Sequence, residues 1–482
     1  MDPITISQTE QVIRTAYRRA TAVVVITVGV AWASTTAAST TTTLATSAVR
    51  VQTVTGAITP ATTTTTLALP SPPEYAARAL DFIERYALKR TSVDWATIRA
   101  DAERKATAAA TIAYTYDIIA SVLKSLGDRH SSFQRPPDAV RLSVGKVTGY
   151  GFTAVWPQLI VITVAPGSPA AVAGLVVGDR IDKVDAKAPK HANGVIAIPA
   201  AGDGEFPVKI TLTVTRRNTR TQKRIVISRG EPTLISVPKA NVAQSLELPG
   251  RIGYLELPGI VGTQADQDAY ATGAQQAIRT IDAVARCGWV VDLRTNRGGY
   301  IYPMLAAAGP LLGDGPVAGK IDAAGVLEQW VYAAGQITIR RAAAPGSADT
   351  TMAPGANPAA VSRAASPYSL SAPDASVAVL TSSLTASAGE ATTIAFRGRA
   401  NTRSFGEPTQ GLTTFNVMTQ LPDLASIIVT NAVDTDRTGK TYDGPIPADE
   451  VVTVDWNHIG DAADPVLNAA VHWLSTQKSC AS

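Results

Sequence analysis

Ser387 lies in Ser383-Leu384-Thr385-Ala386-Ser387-Ala388-Gly389-Glu390, just after the apolar run Val377–Thr381 and before a stretch with helical spacing. A serine where a strand turns into a helix holds its hydroxyl out at the sheet edge. The helix N-terminus also favours negative charge beside it. Such a hydroxyl can act as a nucleophile, with the Ala388 N–H aimed at a developing oxyanion. The same residues also read as a plain helix start, because Ser387-x-x-Glu390 fits a capping box.

Three other groups could share this chemistry. In Val290-Val291-Asp292-Leu293-Arg294-Thr295-Asn296-Arg297-Gly298-Gly299 an apolar strand ends in two glycines. Gly298 and Gly299 can turn backbone N–H groups toward a ligand with no side chain in the way, which an oxyanion hole needs. An ordinary strand-to-helix turn would look the same. His130, in Leu126-Gly127-Asp128-Arg129-His130-Ser131, can serve as a general base near neutral pH, or it is a surface histidine. Gly149-Tyr150-Gly151-Phe152 precedes a strand, so its N–H groups can capture a peptide's terminal carboxylate while the sheet edge takes the peptide as an added strand.

The elements that must position these residues fall into distinct stretches. Apolar residues at helical spacing predict helices over 74–89 and 111–126, with Gly127 as a stop, so His130 sits in the loop beyond. β-branched runs at 159–164, 210–214 and 224–227 predict a small β unit. Within it Ser168 caps one short helix, Pro169 starts it and Gly174 ends it. From residue 252 the order is strand (252–257), helix (265–286), strand (289–293). Later come the strand Val377–Thr381, a helix over 386–396, and strands near 426–430 and 451–456. Alternating strands and helices mean an α/β layer fold. Residues 314–372, rich in Ala, Gly and Pro, resist assignment.

The chain has 482 residues, room for two or three domains. A net charge of +4 with no basic stripe gives no case for nucleic-acid binding. The two cysteines, Cys287 and Cys480, are too far apart in sequence for a zinc motif; they either pair or remain buried thiols. Arg14, Arg18 and Arg19 precede an apolar run at 20–33, the pattern of a secretory signal over 1–33, cleaved or kept as an anchor. Residues 34–72 are Thr- and Ala-rich with little to bury, which predicts a disordered linker.

In this order the pieces resemble the tail-specific, or C-terminal processing, serine peptidases, including the core of tricorn protease. Asp292–Gly299 is similar to the D-L-R-x-N-x-G-G signature. Thr385–Glu390 resembles S-A-S-A-S-E, whose middle serine falls on Ser387. Gly406-Glu407-Pro408-Thr409-Gln410-Gly411 is similar to G-E-P-T-x-G. The lysine-using branch places its base after that last glycine, where this chain has Leu412. Lys440 is the nearest substitute. The tricorn-like branch instead uses a histidine ahead of the PDZ-like domain and a late acid, which the resemblance puts at His130 and Asp443.

The implied fold is α/β: an N-terminal helical region (73–143), a PDZ-like β domain (144–234) and a βαβ, ClpP/crotonase-like catalytic domain (235–482). The implied activity is peptide-bond hydrolysis by Ser387, His130 and Asp443, with Gly298 or Gly299 and Ala388 holding the oxyanion and Gly149–Phe152 binding substrate. Substrates would be peptides or proteins, engaged through free C-termini. No metal or organic cofactor is implied. The location would be secreted, periplasmic or cell-surface, with membrane attachment only through an uncleaved N-terminal segment. The rival reading is an inactive peptide-binding protein of the same fold. Arg294 and Asn296 are expected to brace the glycine turn, and Asp128 the His130 loop.

Overall fold

The computed structural model describes residues 69–480, except 144–145, 148, 193–194, 198–208, 218, 229–234, 237–244, 249, 286 and 342–359. The signal segment at 1–33, nearly all of the 34–72 linker and the centre of the 314–372 stretch lie outside the described residues. No described helix is long and apolar enough to cross a membrane.

Three helices open the described chain: α1 (Pro72–Tyr86), α2 (Trp95–Thr107) and α3 (Thr115–Ser125). They do not form a core of their own. Tyr75, Ile83, Ile119 and Leu123 pack with Leu421, Ile427 and Val429 from far downstream. The short strand β1 (Ser132–Gln134) follows the His130 loop.

The β unit from Gly149 has its own apolar core of Val161, Leu175, Ile181, Ile210, Leu212, Val214 and Ile225. Strands Phe152–Ala154 and Val161–Val164 pair antiparallel, as do Lys209–Thr215 and Gln222–Ser228. Ser168 caps its short helix by accepting the Ala171 N–H at 3.2 Å, and Gly174 leaves it with φ +80°, as the sequence predicts.

The mostly parallel sheet is built on β2 (Ile252–Glu256), β3 (Gly288–Asp292), β4 (Val377–Thr381) and β5 (Thr402–Gly406), adjacent and parallel in that order. Strand Ser245–Leu248 adds antiparallel at one edge and Glu450–Val451 parallel at the other. Successive side chains of a strand face opposite ways. Trp289, Val291, Val377 and Val379 therefore pack under helices α4 (Gln264–Asp282), α5 (Ile301–Leu312) and α6 (Ala388–Phe396). Val290, Ala378 and Leu380 face the other way, toward Val466 and Leu474 of the last helix, α7 (Pro465–Ser475), and toward Val155 and Ile160 of the β unit. Each fully buried valine or leucine among them stabilises by roughly 1.5–3 kcal/mol.

A second, wholly antiparallel sheet occupies much of the unassigned stretch. Gly315–Asp322, Leu327–Ala333, Gln336–Arg341 and Ala360–Arg363 pair in sequence, and the first of them also pairs with β7 (Ser426–Asp436). β7 further takes β6 (Thr414–Gln420) and, from the other end of the chain, β1. The register Ser132↔Ile428 fixes where His130 must lie.

Two links tie the C-terminus to the sheet. Cys287 and Cys480 form a disulfide across 193 residues, which settles the open question of their pairing and stabilises by roughly 2–4 kcal/mol. Arg294, fully buried, bonds Asp292 through Nη2 at 2.6 Å and Asp464 through Nη1 at 2.8 Å. Asp464 in turn caps α7 by accepting the Val466 and Leu467 N–H groups. Arg294 thus clamps the last helix to the sheet more than it braces the glycine turn.

Candidate active site

β3, β4 and β5 end at Asp292, Thr381 and Gly406, and the turns beyond these carboxyl ends build the site. Ligands of open α/β sheets bind in this region. Ser387 immediately precedes α6 with φ +53° and ψ −122°. A positive φ is costly for a residue with a Cβ and persists only where surrounding bonds enforce it. Here they do. Ala386 N–H donates to Asn296 O at 3.0 Å, Ser382 Oγ to Arg294 O at 2.6 Å, and Thr385 Oγ1 to Leu293 O at 2.9 Å. The Ser387 turn is sewn to the glycine turn.

Glu390 completes that arrangement. Its buried carboxylate accepts the Ser387 N–H (2.9 Å), the Leu412 N–H (2.7 Å), the Gly411 N–H (2.7 Å) and Thr409 Oγ1 (2.5 Å). Burial pushes this carboxyl upward while the four donors pull it down. The sequence offered Glu390 only as half of a capping box. It also holds the 409–412 loop beside Ser387. Glu407 accepts Ser383 Oγ at 3.1 Å and the Val454 N–H at 3.1 Å.

His130 meets this turn from the other side. Its Nε2 lies 2.9 Å from Ser387 Oγ and its Nδ1 lies 2.8 Å from Thr414 Oγ1. Asp128 holds the loop: Oδ1 accepts the His130 N–H at 3.0 Å and the Ser131 N–H at 2.6 Å, while Oδ2 accepts Ser131 Oγ at 2.8 Å. Ser131 Oγ also accepts the Thr430 N–H of β7 at 3.0 Å. Burial drives His130 down to about 4 against the opposing charge of Asp128, so the ring is neutral at pH 7 and can accept a proton.

The glycine turn is shaped around the serine. A Cβ on Gly298 would stand 2.8 Å from Ser387 Cβ, and one on Gly299 would stand 2.0 Å from Ile260 O. Both positions have positive φ, +99° and +124°. Gly298 N–H donates to Asn296 Oδ1 at 2.9 Å, and Asn296 Nδ2 donates to Leu257 O at 2.8 Å. Asn296 therefore braces this turn as expected, but it uses the Gly298 N–H to do so. Ala388 begins α6, where N–H groups have no partner within the helix.

One expected contact is not made in space. Asp443 does not reach His130: its side chain is exposed, and the ring's second nitrogen meets Thr414 instead. Gly444 N–H donates to Thr413 Oγ1 at 3.0 Å, next to the threonine that meets the ring. Lys440 is also exposed, with Nζ 5.3 Å from the Tyr442 ring centre. Leu412 leaves no base at the position after Gly411. His458 pairs with Asp461 at 3.0 Å and His472 is exposed on α7, both away from this cluster.

Residues 251–452 match peptidase family S41, and residues 160–214 match the PDZ domain. Segment 251–452 is a peptidase family S41 domain. It carries Ser387, the glycine turn, Glu390 and Thr414, while His130 comes from outside it. The chain is 26% identical over 356 residues to carboxyl-terminal-processing peptidase 2, chloroplastic, of Arabidopsis thaliana, covering 69% of this chain and 60% of that protein. It is 28% identical over 240 residues to the chloroplastic C-terminal processing peptidase of Tetradesmus obliquus, covering 46% and 49%. The chain thus spans about half to three-fifths of the length of these relatives. A solved structure from Bacteroides fragilis, assigned to the S41 proteases, superposes over 83% of this chain and 97% of that one with a TM-score of 0.51 at 16% identity, a likeness of fold.

The PDZ match begins beyond Gly149-Tyr150-Gly151-Phe152. These residues form a turn fixed from within: Ala170 N–H donates to Tyr150 O at 2.9 Å and Ala165 N–H to Gly151 O at 2.7 Å. Phe152 then enters its strand.

Proposed function

We propose that the protein is a serine peptidase that cleaves peptide bonds by Ser387 attack with His130 as general base. The observation that carries this is the 2.9 Å contact between His130 Nε2 and Ser387 Oγ at the start of α6. Ser387 Oγ adds to the scissile carbonyl carbon as its proton passes to Nε2. The tetrahedral oxyanion draws on the Ala388 N–H, with Gly299 as the second donor because Asn296 occupies the Gly298 N–H. The imidazolium then protonates the leaving amine as the C–N bond breaks, and water repeats the sequence on the acyl-enzyme.

The PDZ domain supplies substrate capture. A peptide with a free apolar C-terminus would place its carboxylate at Gly149–Phe152 and add along the neighbouring strand. The relatives' C-terminal processing activity supports substrates of this class. The Cys287–Cys480 disulfide supports an oxidising, extracytoplasmic location.

The test is labelling of the purified protein by a fluorophosphonate together with peptide cleavage. Ser387→Ala abolishes both, with turnover falling about 10⁴-fold or more. Cleavage by Ser387→Ala at the wild-type rate refutes the proposal, and an unlabelled wild-type protein favours the inactive binding module.

A further inference from the structure

We propose that Thr414 is the positioning residue of the proton-transfer unit, standing on the histidine where an acid was expected. The inference rests on the serine peptidase reading and deepens it. His130 is held at both ring nitrogens by hydroxyls: Ser387 Oγ at Nε2, 2.9 Å, and Thr414 Oγ1 at Nδ1, 2.8 Å. To take the serine proton, Nε2 must carry the lone pair. In the neutral ring the hydrogen then sits on Nδ1 and is donated to Thr414 Oγ1. The threonine selects the tautomer that can work as a base.

No carboxylate is hydrogen-bonded to the ring among the described residues. The Asp128 charge acts on the ring, but its oxygens accept from the His130 and Ser131 N–H groups, from Ser131 Oγ and from Thr430 Oγ1. It acts on the ring through space and through the loop. Asp443 is exposed.

Thr414 is fixed as firmly as the role requires. It begins β6, in register with Val433 of β7. Its neighbour Thr413 accepts the Asp434 N–H through its carbonyl at 3.2 Å and the Gly444 N–H through its hydroxyl at 3.0 Å. In the reaction the Ser387 proton moves to Nε2 as the Oγ–C bond forms and leaves to the amine as the C–N bond breaks. The Nδ1 hydrogen stays in place throughout, and Thr414 neither gains nor loses a proton. A neutral acceptor stabilises the imidazolium less than a carboxylate would.

The experiment compares Thr414→Val, Thr414→Ser and Asp443→Asn with Ser387→Ala and His130→Ala in the full chain, reading kcat and KM on one peptide. Thr414→Val keeps the shape and removes the acceptor. It is expected to lower kcat on the order of 10²-fold with KM moved by less than about twofold. Thr414→Ser restores most of the rate. Wild-type kcat in Thr414→Val overturns the inference. So does a Thr414→Ser enzyme as slow as the valine variant, or an Asp443→Asn loss larger than the Thr414→Val loss. If Ser387→Ala or His130→Ala retains full activity, the serine peptidase reading itself fails. If both lose activity while Thr414→Val does not, only the threonine's role is refuted.

Discussion

His130 Nε2 and Ser387 Oγ lie 2.9 Å apart although 257 residues separate them in the chain. The approach is enforced from both sides. β1 pairs antiparallel with β7 directly after the His130 loop, and the turn before α6 is tied to Leu293, Arg294 and Asn296. Neither residue can leave without breaking a sheet or a buried set of hydrogen bonds.

The pH dependence of kcat/KM follows from the histidine. Burial lowers its pKa to about 4, below the ordinary 6.5. With His130 as the proposed base, the working form is the neutral ring, so activity is expected to rise with pH through about 4 and to be level from pH 6 to 8 in this respect. A pH series on the wild-type enzyme checks this. An ascending limb centred near 6.5 would mean that the ring is far more solvated than its contacts imply.

Gly298→Ala should separate folding from chemistry. The new Cβ would lie 2.8 Å from Ser387 Cβ and 3.2 Å from Ala388 N, at a φ of +99°. Ser387 or the oxyanion donor must then shift. The expected loss is on the order of 10²–10³ in kcat, with near-native circular dichroism and poor fluorophosphonate labelling. Unchanged labelling would count against the role given to this turn.

Glu390→Gln replaces an acceptor of four hydrogen bonds by a group with one acceptor oxygen and one donor nitrogen. At least one of the Ser387, Gly411 and Leu412 N–H groups loses its partner. A stranded buried donor costs about 1–3 kcal/mol. Denaturant unfolding should show a loss of that size. Activity should fall further, because the Ser387 turn and the 409–412 loop are released together.

Asp434 offers a stability readout at higher pH. It is buried, its Oδ1 has no hydrogen-bond partner, and burial with the nearby Glu390 charge pushes it up to about 8 against the pull of Lys320. Because its folded pKa lies above the unfolded 3.8, folding takes up a proton between those values. Its contribution is complete below about pH 4 and falls away as pH rises toward 8. Asp434→Asn removes that dependence. Relative to wild type, the variant's Tm should therefore improve steadily from pH 5 to pH 8. A constant Tm difference across the series would show that the carboxyl is ionised throughout.

Much of this protein could be read one segment at a time. The strand Val377–Thr381, the cap at Ser168 and the two glycines at 298 and 299 depend on residues within a turn or a strand of one another, and local steric and hydrogen-bonding rules act at that range. α5 escaped because it is buried on every side and so lacks the polar–apolar period that marks an amphipathic helix. The antiparallel sheet within 314–372 escaped because Ala, Gly and Pro mask strand alternation.

The sequence alone determined that a serine begins a helix at a sheet's end, that a glycine turn and a histidine loop exist to accompany it, and that no base follows Gly411. Only the tertiary structure decided which group meets the second nitrogen of that histidine. Local pattern cannot decide this, because the partner is chosen by the β1–β7 and β6–β7 registers. These bring Thr414 to the ring.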